Sequence, residues 1–158
     1  MPNFGAKAPT RQLGGDDRQT PPKLIAWLER RYGKFDLDPC PIGGLSGLSM
    51  TWYGNVFVNP PYSNIMPWVE KAISELYSGG VGKIVMLVPA ATDTAWFRAA
   101  FRHATDVIFL WPRVRFFKDG KQMGSPAFGS VVFAFYSGSS RDVSIQNWQE
   151  ATSLWRPR

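Results

Sequence analysis

Asn59, Pro60, Pro61 and Tyr62 directly follow residues 55–58, which have the composition of a short buried β-strand. Two consecutive prolines cannot continue a strand ladder, because neither has an N–H and both fix φ. We therefore expect Asn59 and Tyr62 at the carboxyl end of a strand, where open α/β sheets hold their ligands. An amide oxygen, a proline carbonyl and an aromatic face at that position suit one planar nitrogenous group. The alternative is that the prolines only end a strand.

These residue types suit methyl transfer to an exocyclic amine. The amine of adenine is a weak nucleophile, since its lone pair is delocalised into the ring. If Asn59 Oδ1 and the Pro60 carbonyl accept its two N–H groups, the nitrogen becomes pyramidal and its lone pair can point at a methyl donor. Tyr62 would stack on the base, a contact worth roughly 1–3 kcal/mol. A neutral amide also avoids burying an unpaired carboxylate.

Two further candidate segments lie upstream. A helix is predicted with Thr20 as N-cap, Pro21 in its first turn and a glycine at its exit, and capping alone would explain both residues. Residues 35–40 are predicted as a short strand that ends in Asp38 and Pro39. An acid at a strand end can bind a ribose hydroxyl or a ligand amine, or it can cap a turn.

Taken in order, these segments resemble the small phage-type Dam family of DNA N6-adenine methyltransferases. The similarity spans about residues 16–136 and rests on residues 19–22, 35–40, 57–63, 88–97 and 113–116. It implies S-adenosylmethionine as methyl donor and double-stranded DNA as substrate, with the target base out of the stack. It places Asn59, Pro60, Pro61 and Tyr62 around that base. It places Thr20, Pro21, Asp38 and Pro39 beside the cofactor.

The chain departs from the family between Cys40 and the next strand, where residues 41–53 leave no room for a helix, a strand and a second helix. Relatives carry a longer segment there with an acid for the ribose. This chain has no acidic residue between Asp38 and Glu70, so Asp36 or Asp38 would serve the ribose instead. Two alternatives follow: a cofactor-deficient methyltransferase fold that binds DNA, or an amino-methyltransferase acting on a protein glutamine or another nucleobase.

A basic segment near residue 115 is a candidate for phosphate contacts. Arg113 and Arg115 alternate, which would place both on one strand face, and residues 118–121 are typical of a hairpin turn. Such a hairpin could bind DNA phosphates, although charges that protect an edge strand would have the same sequence. Phe116 and Phe117 are candidates for a second aromatic wall, with core packing as the alternative. The predicted DNA-contacting residues are Ser63, Arg113, Arg115, Phe116 and Lys118.

The composition fits one domain that can form a core, since 44% of the 158 residues are hydrophobic. There is no apolar run of about 18 residues and no charged-then-apolar leader, so neither a membrane span nor a secretory signal is expected. The single cysteine excludes an internal disulfide and fits a reducing cytoplasm, that of the host if the protein is phage-encoded. One histidine and one cysteine cannot form a zinc site, so no metal is expected. The net charge of +6 points weakly towards polyanions.

Alternating strands and helices indicate an α/β domain. The resemblance makes it a shortened, Rossmann-like S-adenosylmethionine-dependent methyltransferase fold with an open, mostly parallel sheet and a C-terminal antiparallel element. We expect a flexible arm at 1–15, the methyltransferase domain at 16–136 and a tail helix or arm at 137–158. A helix is expected from Ser63 or Asn64 to about Ser78, and another from Thr92 or Asp93. Further strands are expected at 84–88, 107–110 and 130–136.

Overall fold

The computed structural model describes residues 17–40 and 45–150, without the side chains of residues 45 and 46. The predicted arm at residues 1–15 lies outside this part of the chain. The helices within it are α1 (Pro22–Tyr32), α2 (Leu45–Ser49), α3 (Met66–Ser78) and α4 (Ala95–His103). The strands are β1 (Gly54–Val58), β2 (Val81–Pro89), β3 (Asp106–Trp111), β4 (Phe117–Lys118), β5 (Lys121–Gln122), β6 (Ser130–Phe135) and β7 (Asp142–Asn147).

The central sheet has the strand order β1-β2-β6-β3-β7. β1 and β2 run parallel, as do β3 and β7, whereas β6 runs antiparallel to both of its neighbours. β4 and β5 form a separate two-stranded antiparallel sheet. The prediction of an open α/β sheet with an antiparallel element near the C-terminus is confirmed, and the reversal at β6 makes the sheet mixed.

Alternate residues of β1, β2, β3 and β6 face two separate layers of core. Val56 and Val58 of β1 belong to the layer that contains α3 and α4. Phe57, between them, belongs to the layer that contains α1. Because successive side chains point to opposite faces of a strand, both faces of β1 are covered, and its residues at 56–58 are all buried. The strand is thereby held rigidly up to its last residue.

Residues 35–40 form less regular structure than predicted. A single parallel bridge joins Leu37 to Val56, supported by a hydrogen bond of 2.9 Å from Phe57 N to Leu37 O. The segment therefore runs alongside β1 without being a strand. The proline at position 39 explains this, since it has no N–H to continue the ladder.

Thr20 was predicted as the N-cap of the first helix, and this is wrong. α1 begins at Pro22, its capping residue is Pro21, and no side chain caps it. Proline at the helix start leaves fewer N–H groups that need a cap, because its own nitrogen has none. The Thr20 hydroxyl is instead hydrogen-bonded to Asn59.

Helices α3 and α4 also begin later than predicted. α3 starts after Ile65 rather than at Ser63 or Asn64. α4 is capped by Thr94, whose Oγ1 accepts a hydrogen bond of 3.2 Å from Phe97 N, one or two residues beyond the predicted cap. Each segment offers several adjacent capping side chains, and local sequence alone does not select among them.

The predicted tail contains a strand rather than a helix or an arm. β7 pairs in parallel with β3, with Val143 opposite Val107 and Ile145 opposite Phe109. Trp148, which follows, is buried, and its Nε1 donates a hydrogen bond of 2.8 Å to Pro112 O. Residues 142–148 are therefore packed onto the sheet. The domain boundary placed at residue 136 stays a prediction.

Candidate active site

β1 ends at Val58, so Asn59 lies at the carboxyl end of a buried strand, as the sequence predicts. The next strand in the sheet, β2, is parallel to β1 and ends at Pro89 on the same edge. Pro60 and Pro61 are both buried, whereas Asn59 and Tyr62 are partly exposed. The motif thus combines two buried prolines with two flanking residues that are partly exposed.

The amide of Asn59 has a defined orientation. Its Nδ2 donates hydrogen bonds of 3.1 Å to Arg18 O and 3.2 Å to Thr20 Oγ1. A carbonyl oxygen can only accept, so the amide nitrogen must face Arg18. Both amide hydrogens are therefore directed at residues 18–20. Oδ1, the acceptor that the proposed chemistry requires, lies on the other side of the amide.

The ring of Tyr62 is fixed by aromatic edges and by a cation. Its centroid lies 6.1 Å from Phe116 and 5.7 Å from Phe128, both in edge-on contacts. The Arg18 guanidinium lies 5.4 Å from the centroids of Tyr62 and of Phe128, and it covers one face of the Tyr62 ring. The Tyr62 hydroxyl is buried without a hydrogen-bond partner among the described residues. Burial raises the pKa of Tyr62 well above its ordinary value, so the phenol stays neutral.

Asp38 lies beside the same end of β1. Leu37 is level with Val56, so Asp38 lies further towards Asn59. Its Oδ1 accepts a hydrogen bond of 3.1 Å from Cys40 N. Desolvation raises the pKa of Asp38 to about 7, and the Cys40 N–H opposes that rise only in part. A partly buried carboxyl of this kind gains stability when a ligand offers it further hydrogen-bond donors.

Asp36, the other acid considered for a ribose, is not brought to this edge. Its Oδ2 accepts a hydrogen bond of 2.8 Å from Asn55 N, near the start of β1. Asn59 is four positions after Asn55, which at 3.3 Å per residue is about 13 Å. Of the two predicted acids, Asp38 is the one near the motif.

Pro39 is packed tightly beneath α2. A Cβ on Gly47 would lie 2.3 Å from Pro39 O, so only glycine allows this approach. Trp52 Nε1 also donates a hydrogen bond of 2.8 Å to Gly47 O. These contacts hold the end of the Asp38–Pro39 segment from the helix side. Residues 41–44, between that segment and α2, lie outside the described residues.

The two predicted DNA-contacting arginines are exposed and bind a loop of the protein. Arg113 Nη1 donates a hydrogen bond of 2.9 Å to Pro126 O, and Arg115 Nε donates one of 3.2 Å to Met123 O. Both alternate with the buried residues Val114 and Phe116, as the sequence predicts, although residues 113–116 form no strand. Their guanidinium groups therefore hold the 123–126 loop while still facing solvent.

The hairpin predicted after Phe116 is present. β4 and β5 are joined through Asp119 and Gly120, whose φ angles of 51° and 76° are those of a type I′ turn. Lys118 forms an ion pair of 3.1 Å with Asp17. Phe116 is only 2% exposed, so the core-packing alternative is correct for this ring. Ser63, by contrast, is exposed directly after Tyr62.

Residues 17–20, hereafter the 17–20 segment, connect the hairpin to the motif. Gln19 and Phe117 exchange backbone hydrogen bonds of 2.8 and 2.9 Å. Sequence reasoning missed the roles of Arg18, Gln19 and Phe128. For Arg18, the sequence offered one indication of a role at the site: it directly precedes residues 19–22, which resemble the family. The partners of Gln19 and Phe128 lie far away in sequence and leave no local pattern.

Two findings concern other kinds of site. Among residues 17–40 and 45–150, no group of three or more His, Cys, Asp and Glu side chains could hold a metal ion. Within the same ranges, no helix has the length and apolar character that crossing a membrane requires.

An open α/β sheet that presents Asn-Pro-Pro-Tyr at a strand end defines the chain as a protein of the methyltransferase class. More particularly, residues 46–154 match the DNA N-6-adenine-methyltransferase (Dam) family, and the chain belongs to that family. The match includes Asn59 to Tyr62 and the basic hairpin. Thr20 and Asp38 precede it.

Two phage proteins are similar to this chain. It is 36% identical over 104 residues to the DNA N-6-adenine-methyltransferase of Escherichia phage T1, covering 58% of this chain and 43% of that protein. It is 29% identical over 117 residues to the protein of the same name from Haemophilus phage HP1 (strain HP1c1), covering 66% of this chain and 67% of that protein. The chain thus spans less than half the length of the phage T1 relative.

Proposed function

We propose that this protein transfers a methyl group from S-adenosylmethionine to the N6 amine of a flipped adenine in double-stranded DNA. The observation that carries the proposal is the orientation of the Asn59 amide at the end of β1. Its Nδ2 is bound to Arg18 O and Thr20 Oγ1, so Oδ1 is the atom available to accept from the amine. The family match and the names of both relatives support adenine as the target.

The groups around the amine have separate roles. Asn59 Oδ1 and the Pro60 carbonyl accept its two N–H groups, which localises the lone pair on nitrogen. The ring of Tyr62 stacks on the base, on the face that Arg18 leaves open or after Arg18 has moved. The phenol does not take the proton as a phenolate, because burial keeps the Tyr62 pKa high. The proton leaves after methyl transfer, when the nitrogen carries a positive charge.

S-adenosylmethionine, when bound, supplies an electrophilic methyl group. Asp38 fits as a residue that would hold this cofactor. Among the described residues, its carboxyl accepts one hydrogen bond, from the Cys40 N–H. A ribose hydroxyl or the donor's amine would provide further hydrogen bonds there. We propose Asp38, together with Pro39 and Pro21, as the cofactor side of the site in a Rossmann-like methyltransferase fold.

The exposed cations near the motif support DNA as the partner. Arg113, Arg115 and Lys121 are exposed, and the hairpin that carries Lys121 is bonded to the 17–20 segment. Lysine and arginine contacts to phosphates position a protein on a duplex without specifying sequence. Ser63 and Lys118 complete the proposed DNA-contacting surface. The phage origin of both relatives supports action on DNA in a host cytoplasm.

The test is radiolabel transfer from S-adenosylmethionine to unmethylated double-stranded DNA, followed by digestion to nucleosides. The wild-type protein should produce labelled N6-methyl-2′-deoxyadenosine. The Asn59→Ala protein should produce none. Asn55→Ala is the matched control, since the Asn55 amide also donates two hydrogen bonds to carbonyls but lies near the start of β1. It should lower stability and retain methylation.

Three outcomes would overturn the proposal. Label in another nucleobase or in protein glutamine would indicate a different amine. No binding of S-adenosylmethionine by calorimetry would support a cofactor-deficient fold that only binds DNA. Unchanged methylation by a folded Asn59→Ala protein would contradict the role of the amide.

A further inference from the structure

We infer that Thr20 is a positioning residue whose hydroxyl acts on the orientation of Asn59, rather than a cofactor ligand. The inference rests on the proposed function and extends it to a residue that precedes the matched family range. Asn59 Nδ2 donates a hydrogen bond of 3.2 Å to Thr20 Oγ1. These residues are 39 positions apart in sequence.

The Thr20 hydroxyl is available for this contact because it does not cap α1. The capping residue is Pro21, and the helix has no side-chain cap. Arg18 O is the second acceptor for Asn59 Nδ2, at 3.1 Å. The carbonyl decides which end of the amide faces the segment, and the hydroxyl engages the second hydrogen. Together they fix the rotation of the Asn59 amide about the Cβ–Cγ bond.

The 17–20 segment is constrained enough to hold the Thr20 hydroxyl in place. Gln19 exchanges two backbone hydrogen bonds with Phe117, and Asp17 is paired with Lys118. Pro21 and Pro22 restrict the chain on the other side, because each fixes its own φ. The Thr20 hydroxyl is thus held at a set position relative to the end of β1.

The orientation matters because the two ends of an amide have opposite hydrogen-bonding character. A rotated Asn59 would present N–H donors to an amine that is itself a donor, and would leave that amine unpolarised. Removing the Thr20 hydroxyl leaves Arg18 O as the remaining acceptor among the described residues and widens the range of amide orientations. The expected consequence is slower transfer with unchanged cofactor binding.

The experiment compares Thr20→Val, Thr20→Ser and Thr105→Val in the full chain. Valine keeps the shape of threonine and loses the hydroxyl, whereas serine keeps it. Thr105 is the matched control: its Oγ1 donates a hydrogen bond of 2.6 Å to Tyr136 O beside the start of β3, at the opposite edge of the sheet. We measure kcat, the Kd for S-adenosylmethionine by calorimetry, and the side-chain amide resonances of Asn59 by NMR, identified by their loss in Asn59→Ala.

Thr20→Val should lower kcat about fivefold, the effect of one neutral hydrogen bond, with the Kd for S-adenosylmethionine within about twofold of wild type. The Asn59 amide resonances should shift in this variant and stay unchanged in Thr105→Val. Thr20→Ser should restore wild-type kcat. A large rise in Kd with unchanged kcat would instead identify Thr20 as a cofactor ligand. Unchanged kcat, Kd and resonances would also overturn the inference, even if Asn59→Ala remains inactive and the proposed function stands.

Discussion

The ring and the hydroxyl of Tyr62 have different surroundings. Phe116, Phe128 and Arg18 contact the ring, whereas the buried hydroxyl has no hydrogen-bond partner in the described part of the chain. A buried hydroxyl without a partner lowers stability, because it has lost its hydrogen bonds to water. Stacking on a base uses only the ring. The role proposed for Tyr62 therefore depends on its aromatic ring rather than on acid–base chemistry.

Substitutions at Tyr62 should separate the contribution of the ring from that of the hydroxyl. Tyr62→Phe should keep kcat/KM within about twofold and leave the melting temperature equal to or above that of wild type. Tyr62→Ala should lower kcat/KM about 5- to 150-fold, the loss of a stacking contact of roughly 1–3 kcal/mol. Steady-state kinetics and thermal unfolding of both variants provide the measurement. An inactive but folded Tyr62→Phe protein would show that the hydroxyl takes part after all.

Asp38 should make the stability of the protein depend on pH. Burial raises its folded-state pKa from 3.8 to about 7, so between these values the folded state holds a proton that the unfolded chain releases. Stability should therefore fall as pH rises from about 4 to about 7 and level off above that. Asn at this position cannot titrate.

Thermal unfolding of wild type and Asp38→Asn across this pH range isolates the effect, since every other group titrates in both proteins. The melting temperature of wild type should decrease more than that of the variant as pH rises. Parallel curves would mean that the Asp38 carboxyl is ionised in the folded protein throughout.

At the scale of elements, the 17–20 segment links the motif, the hairpin and α1. Its backbone pairing with Phe117 positions the Arg18 carbonyl beside Asn59, because Arg18 directly precedes Gln19. A short piece of backbone thereby orients a side chain at the end of β1. Its contribution can be tested without altering a side chain of the site.

Gln19→Pro should break this pairing, because proline cannot donate the hydrogen bond of 2.8 Å to Phe117 O. We expect a loss of about 1 kcal/mol in stability and a fall in kcat at saturating substrates, since the Arg18 carbonyl is no longer fixed. Gln19→Ala is the control, because its backbone keeps both hydrogen bonds. Wild-type kcat in Gln19→Pro would show that the pairing does not position Asn59.

These elements mark the limit of what the sequence could predict. The end of β1 was predictable, because two consecutive prolines soon after an apolar run cannot continue a strand. Thr20 was wrongly predicted as an N-cap because Thr-Pro-Pro also fits a helix start, whereas its hydroxyl is hydrogen-bonded to a residue 39 positions away. β7 was missed because its alternating pattern is short and half polar. Pairing with β3 and the burial of Trp148, both tertiary contacts, stabilise it.

At the scale of the whole molecule, polar networks with different roles lie at opposite edges of the sheet. Away from the motif, near the start of β3, the buried Asp106 accepts hydrogen bonds of 2.8 Å from Tyr32 and 2.9 Å from Tyr136. Desolvation and the neighbouring carboxylate raise the pKa of Tyr136 to about 12, which keeps this donor protonated. Asp106 thus accepts two hydrogen bonds from side chains of the protein, whereas among the described residues the Asp38 carboxyl accepts one, from Cys40 N.

The distribution of positive charge over the molecule makes a prediction about DNA binding. A net charge of +6 alone would attract DNA from any side, with an affinity that falls as salt rises. A specific binding face adds ion pairs with phosphates, and each pair contributes about 0.9 to the slope of log K against log salt. Lys121 is exposed at the hairpin that pairs with the 17–20 segment. Lys34 is exposed after α1, near the start of β1 and away from the motif.

Lys121→Gln and Lys34→Gln remove the same charge from these two places. If the hairpin contacts phosphates, Lys121→Gln should reduce the slope by about 0.9, while Lys34→Gln should leave it unchanged. The slope is measured by fluorescence anisotropy of a labelled duplex at several salt concentrations. Equal effects of the two substitutions would mean that net charge, rather than a binding face at the hairpin, attracts the DNA. A slope altered by Lys34→Gln alone would place the duplex at the opposite edge of the sheet, out of reach of Asn59.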